Sequence, residues 1–335
     1  MAKKVLVLVN QLQGRPAPYL DRLRKAGFEV VFSGLDRLAT EDELIKMIPG
    51  VYATMAGGEP YTDKVFDAAK DLKLVARFGV GYDQVNVPAA TRHNVPVAMA
   101  FGSNHESVAD GAFMLILAAA CNLPWQTNLV RAGGWAVDFH PGVWKKTLGI
   151  LGMGRIGRAV ARRAYRGFDM RVLAYDPMGD ATYAKENGIE LVDVETVLNN
   201  ADFVSLHMPH IKENENFMNA ERLAMMKPSA FLINTARGAL VDEDALLDAL
   251  KNKRIAGAGL DVFKKEPPVG SPLLKLENVV FLPHTSGMDD TGEAAMANKC
   301  IDSIIAISEG EHPGEEFVLN PEALPKGLKP ARKWR

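Results

Sequence analysis

Cysteine is scarce in this 335-residue chain: there are two, Cys121 and Cys300. That is too few, at too great a separation, for a disulfide framework or a four-thiolate zinc site, and it fits a reducing cytoplasm. An excess of one charge is missing as well. Lysine and arginine total 39 against 41 acidic residues, a formal net charge of −2, so no global field draws the protein to nucleic acid or an anionic membrane. Long apolar runs are also lacking. The most apolar stretch, GAFMLILAAACNLPW at 111–125, falls short of the roughly 18 residues a membrane span needs, and the run after MAKK is shorter than the core of a secretion signal. The one basic concentration is the tail KGLKPARKWR, where Trp334 suggests an end docked on its own or a partner subunit. A soluble cytoplasmic protein is expected, with neither nucleic acid nor membrane as partner.

With 47% hydrophobic and 24% charged residues, the chain has material for two cores. Short apolar runs alternate with helix-like segments from the start: VLVLVN, FEVVFS, VYATMAG, LKLVARF and VPVAMA. Unbroken apolar runs at helix-length intervals indicate parallel strands covered on both faces. After SNHESVADGAFMLILAAAC, where Ser103 and Glu106 have capping-box spacing before a long helix, six further strands are expected, in TLGIL, RVLAYD, DFVSLH, AFLINTA, AGAGLDVF and VVFLPH. The fold class expected is α/β with two doubly wound parallel-sheet domains, the second inserted in the first. The boundaries expected are 1–101 with 287–335 for the first and 102–286 for the second. The last helix packs back on the first sheet, and the cleft between the domains holds the site, with two chain crossings as hinge.

In GILGMGRIG the glycines Gly152, Gly154 and Gly157 have G-x-G-x-x-G spacing between a strand and a helix. Gly152 permits the tight turn, Gly154 a close approach to the pyrophosphate, and Gly157 close packing of helix on strand. A plain strand-to-helix turn is the competing reading of the glycines alone. Asp176, nineteen residues after Gly157 at the end of the next strand, is placed to hold the ribose hydroxyls and to repel a 2′-phosphate, so the cofactor expected is NAD rather than NADP. Arg237, Asp261, Glu266 and His284 follow the last three strands, where ligands of an open parallel sheet bind. Hydride transfer between a hydroxy acid and NAD needs a proton carrier, a cation for the carboxylate or carbonyl, and a group that steadies the carrier's charged form. His284, Arg237 and Glu266 supply these in that order. An Arg237–Glu266 surface pair with a strand-end His284 is the alternative. Val80 and Gly81 in RFGVGYD offer two adjacent amides in a glycine turn, an anion nest.

The set GMGRIG, LAYDP, SLHMP, INTARGALVDEDAL, GAGLDVFKKEPP and FLPHTSG resembles the D-isomer-specific 2-hydroxyacid dehydrogenase family, which includes phosphoglycerate dehydrogenases and glyoxylate/hydroxypyruvate reductases. The likeness runs from about residue 5 to 310 with spacing kept. It implies a flavodoxin-like substrate domain split around an inserted Rossmann NAD-binding domain, a homodimer built on the NAD domain, and Arg237, Glu266 and His284 as the catalytic set. It implies a cofactor site of Gly152, Met153, Gly154, Arg155, Ile156, Gly157, Asp176, His207, Pro209, Thr235, Ala236, Arg237, Asp261 and His284, with Asp261 on the nicotinamide amide. Val80, Gly81, Asn104 and Arg237 would hold the substrate.

Two departures from the family pattern bear on the substrate. The usual D-N-x-D reads Asp83, Gln84, Val85, Asn86, and the loop that often carries an arginine for a phosphorylated substrate reads MAGGEPYT, with Glu59 and no cation, although Arg77 remains. A small unphosphorylated acid such as glyoxylate, hydroxypyruvate or glycerate is favoured over a 3-phosphoglycerate-like one. His207 and His210 make an H-x-x-H on a proline-containing turn where no third ligand is evident, and no metal is expected. The other reading of the whole is an NAD-sensing, corepressor-like binding protein without turnover.

Overall fold

The computed structural model describes residues 2–14, 16–137 and 139–331; the expected docking of Trp334 lies outside the described residues. The chain divides into two compact units, the continuous span His105–Asp289 and a second assembled from the chain on both sides of it. In the flanking unit, β1 (Lys3–Val7), β2 (Phe28–Phe32), β3 (Val51–Ala56), β4 (Leu74–Arg77) and β5 (Val97–Met99) form a parallel sheet of order β2-β1-β3-β4-β5. Alternate residues of β1 serve opposite faces, because side chains along a strand alternate. Val5 and Val7 pack in one cluster with Ala53, Leu74 and Ala76, while Leu6 and Leu8 join Val51, Val75 and Val97 in the other. Both faces are therefore dry, which is why these strands read as unbroken apolar runs. The helix Asp290–Ser308 returns to this sheet, contributing Met296, Cys300, Ile301 and Ile304 to the first cluster.

The continuous unit has seven parallel strands: β6 (Thr147–Leu151), β7 (Arg171–Tyr175), β8 (Ile189–Leu191), β9 (Phe203–Leu206), β10 (Phe231–Asn234), β11 (Gly257–Leu260) and β12 (Val279–Phe281). Their order is β12-β11-β10-β9-β6-β7-β8. The order reverses between β6 and β9, so the crevice of a doubly wound sheet opens at the carboxyl end of β6, where GMGRIG begins. Both sheets are of the class expected. Among the described residues no single helix is long and apolar enough to cross a membrane, and the helices His105–Ala120 and Leu123–Arg131 bend at 61°.

Two expectations are corrected. The second sheet has seven strands, not six: β8 is only three residues with one buried side chain, too short for a hydrophobic pattern, and its Glu190 pairs instead with Arg171 of β7 at 2.7 Å. Ser103 does not act in a capping box with Glu106. Its hydroxyl donates back to the Ala100 carbonyl (2.5 Å), and Glu106 accepts from Arg162 and Arg163 at 2.6 and 2.7 Å.

Candidate active site

The dinucleotide cradle begins at Gly152, whose φ of +104° is left-handed territory and whose Cβ would lie 2.7 Å from the His207 carbonyl carbon and the Met208 nitrogen. A side chain there would push β9 away from the turn, so glycine is needed on both counts. Gly157 is needed for a different reason: a Cβ would lie 2.0 Å from the Gly152 carbonyl oxygen. A Cβ on Gly154 would meet nothing within 4 Å, and no side chain caps the helix Arg155–Phe168 that it opens. Its first amides are free to meet an anion. Met153 is buried and Arg155 exposed, with Ile156 between them in exposure. At the end of β7, Asp176 accepts from the Met153 amide (2.7 Å) and the Met178 amide (2.8 Å), so its carboxylate braces the glycine turn.

At the ends of β9 and β10, polar atoms are buried without partners. They are His207 Nδ1 and Thr235 Oγ1. His207 meets the Ser205 hydroxyl through Nε2 at 2.9 Å, and burial pushes its pKa down to about 3, which keeps the imidazole neutral. Buried polar atoms left unpaired call for a partner that the protein alone does not supply. Together with the open space at Gly154, they fit a bound dinucleotide. Pro209, exposed, follows on the same turn, its carbonyl accepting from Asn214 at 2.9 Å.

Arg237 is placed by its neighbours. Buried Asn234 donates to the Arg237 carbonyl (2.9 Å) and accepts from the Ala236 amide (3.0 Å), closing a tight loop at the end of β10. Gly238 then lies so close to the next loop that a Cβ would stand 1.9 Å from the Phe263 carbonyl carbon. Only glycine permits this backbone contact, and it brings the Arg237 loop against the loop that carries Glu266. The Lys264 amide is held in turn by Glu243 at 2.7 Å. Sequence reasoning passed over Asn234, Gly238 and Glu243; the glycine directly after Arg237 was the available signal.

His284 closes the set. Its Nδ1 lies 2.7 Å from Glu266 Oε2, while Glu266 Oε1 accepts from the Phe263 amide at 3.0 Å. An ionised carboxylate only accepts, so the proton sits on Nδ1 and Nε2 is left to exchange protons with a substrate. The imidazole is 52% exposed. Burial drives the Glu266 carboxyl upward, but the hydrogen bond and charge of His284, the Phe263 amide and Arg237 outweigh it and hold it below the usual carboxylate range.

The backbone at His284 is strained, with φ +57° at a non-glycine residue, a cost of about 1–3 kcal/mol that persists only where surroundings enforce it. Asp261 enforces it. Its carbonyl accepts from the His284 amide (2.9 Å), and its carboxylate oxygens accept from the Thr285 amide (2.7 Å) and the Ser286 amide (3.1 Å). The resemblance gives Asp261 a role toward the nicotinamide; the geometry adds an anchoring role invisible in sequence. Gly111 lets Ser286 seat against the helix His105–Ala120, since a Cβ there would meet Ser286 Cβ at 2.5 Å.

In the flanking unit, Gly79 has φ +142° and turns the chain after β4. Among the described residues the Val80 and Gly81 amides donate to no other group of the protein, and Asn104 Oδ1, after β5, is buried without a partner. Two successive free amides form an anion-binding concavity.

A doubly wound sheet with an open glycine turn, an acid on the neighbouring strand and a carboxylate-backed histidine at its carboxyl edge defines a dinucleotide-dependent oxidoreductase. Residues 113–286 match the sequence profile described as D-isomer specific 2-hydroxyacid dehydrogenase, NAD binding domain. The glyoxylate reductase of Korarchaeum cryptofilum is 45% identical over 273 residues, 79% of this chain and 81% of that one. The D-3-phosphoglycerate dehydrogenase of Archaeoglobus fulgidus is 37% identical over 87% of this chain and 55% of its own length. A Thermus thermophilus protein of known structure is 36% identical and superposes with a TM-score of 0.85, covering 94% of this chain and 99% of that one. The chain belongs to the D-isomer specific 2-hydroxyacid dehydrogenase family, and its dinucleotide cofactor is NAD.

Proposed function

We propose that the protein interconverts a small, unphosphorylated D-2-hydroxy acid, of the glyoxylate or hydroxypyruvate/glycerate kind, and its 2-oxo acid, with His284 as the proton carrier. The observation that carries this reading is the 2.7 Å contact between His284 Nδ1 and Glu266 on a strained, Asp261-anchored turn. The bound dinucleotide supplies or accepts the hydride. Nε2 of His284 donates a proton to the carbonyl oxygen in reduction and takes it from the hydroxyl in oxidation, while Glu266 stabilises the imidazolium. Arg237 orients the oxo acid and balances charge that grows on its oxygen, and the Val80 and Gly81 amides receive the carboxylate, with Asn104 beside them. Residues 1–101 with 287–335 serve as the substrate domain and 102–286 as the NAD-binding domain.

Following NADH absorbance with a panel of 2-oxo acids tests the reading. Turnover with glyoxylate or hydroxypyruvate is expected, and NADH binding without turnover on any member would sink it in favour of a corepressor-like binding protein. Preference for NAD over NADP is assigned to Asp176. Asp176→Ala is expected to raise the KM for NAD about tenfold, the worth of one or two hydrogen bonds, and to narrow discrimination against NADP; an unchanged NAD/NADP ratio contradicts the assignment. A homodimer through the NAD-binding domain is supported by the exposed apolar side chains Trp125, Trp135, Val137, Phe139 and Trp144 of that unit, and a cytoplasmic location by the free thiols Cys121 and Cys300.

A further inference from the structure

Glu59, 1% exposed, is the one buried carboxyl group of the flanking unit neither of whose oxygens accepts a hydrogen bond of good geometry among the described residues; the Gly57 and Glu59 amides and Arg77 lie close enough to favour its ionised form without outweighing its burial. It follows β3 in the loop 57–60, and two ladder bonds tie this loop to the Val80–Gly81 loop. The Tyr61 amide donates to the Gln84 carbonyl (2.8 Å), and the Asn86 amide to the Tyr61 carbonyl (2.9 Å). Glu59 folds back so that a Cβ on Gly57 would lie 2.9 Å from its Oε1. Between the loops stands Arg77 at the end of β4. Its Nη1 donates to the Ala56 carbonyl at 3.3 Å and the Phe78 carbonyl at 2.6 Å, and it lies 3.3 Å from where a Cβ on Gly79 would be. One guanidinium thus holds the carbonyls that lead into both loops, beside Gly79.

We propose that Glu59 is a positioning residue for this anion site, whose amides bind a substrate carboxylate tightly while Glu59 carries a proton and weakly once it ionises. The inference rests on the carboxylate role given above to Val80 and Gly81. An ionised Glu59 and a bound substrate carboxylate would share the field of Arg77, and like charges around one cation oppose each other. Linkage is reciprocal: each pKa unit by which bound substrate raises Glu59 is about tenfold in affinity. Burial already pushes Glu59 up to about 7, so the change falls near neutrality.

The charged and titratable groups around it are few. Arg77 faces it from β4. Tyr61, whose hydroxyl donates to Thr54 at 2.8 Å, is raised by burial and by Glu59 itself. On the helix Asp290–Ser308, the Cys300 thiol near Arg77 is pushed by burial up to about 12, and Asp302, also raised by burial, is bound to Arg22 at 2.6 Å. Arg77, Tyr61 and Cys300 keep their charge state near neutrality, and Asp302 is paired with Arg22, whose charge favours its ionised form, which leaves Glu59 as the switch.

The test compares the wild type with Glu59→Gln, using NADH and glyoxylate between about pH 6 and pH 8.5. The KM ratio of wild type to variant is expected to climb three- to tenfold across this range, with the kcat ratio within about twofold throughout. A flat KM ratio, or a change confined to kcat, overturns the proposal. Should the variant fold poorly, infrared difference spectra of the NADH-bound wild type at pH 7 decide. Adding oxalate must increase the protonated-carboxyl band, a signal that histidine cannot produce, and no increase overturns the proposal. A wild type that neither turns over 2-oxo acids nor binds oxalate removes the proposed function and this inference together, whereas normal turnover with a flat KM ratio removes only the role of Glu59.

Discussion

Replacing His284 with alanine is expected to lower kcat by a factor on the order of 10² to 10⁴, the contribution of one positioned general acid or base, while NADH binding stays within a few-fold of the wild type. The two halves of this result have separate physical origins. Proton exchange depends on Nε2, which is left available because Nδ1 is committed to Glu266 at 2.7 Å. Cofactor binding depends on the glycine turn, whose geometry is set by Gly152, Gly157 and the Asp176 contact to Met153. Steady-state kinetics and a fluorescence titration of NADH measure both, and a variant with near-normal kcat would remove His284 from the chemistry. The pH behaviour of Glu266 adds a sign. Its folded pKa is depressed, so its contribution to stability is present above the unfolded value and is lost as pH falls through the folded one.

Gly238→Ala is expected to do more damage than an exchange of one methyl group normally does. Its Cβ would stand 1.9 Å from the Phe263 carbonyl carbon and 2.3 Å from the Lys264 nitrogen, both backbone atoms that cannot rotate away. Overpacking of this kind costs about 3 kcal/mol or more, and relief requires the Arg237 loop to part from the loop holding Glu266. Urea unfolding should therefore show a lower midpoint, and the surviving folded protein a kcat/KM reduced at least about tenfold, because a displacement near 1 Å suffices for that. Gly154→Ala is the control: a Cβ there would meet nothing within 4 Å, so its stability should stay within about 0.5 kcal/mol of the wild type. A Gly238→Ala protein as stable as the control and as active as the wild type would mean that the two loops are not held together by this contact.

Much of the fold was legible because a strand buried on both faces leaves an unbroken apolar run. That signal is strong in β1, where Val5, Leu6 and Val7 are all buried, and it vanishes in β8, where Glu190 faces solvent and only Ile189 is buried. The capping box failed for a related reason. Spacing alone allows Ser103 to cap, but the residue is drawn to the Ala100 carbonyl and Glu106 to two arginines distant in sequence.

The amino-acid sequence by itself determined which chemistry the chain can carry: the glycine turn, the strand-end acid, and the residue types at 237, 266 and 284 with their order along the chain. Periodicity and local backbone preference are short-range physics, and both survive in a linear reading. Only the tertiary structure decided that Glu266 grips Nδ1 of His284, that Asp261 holds the strained turn beneath it, that Gly238 lets two loops touch, and that Glu59 is buried. These depend on contacts between segments that the sheet order brings side by side, and sheet order arises from the packing of the whole unit rather than from any local stretch.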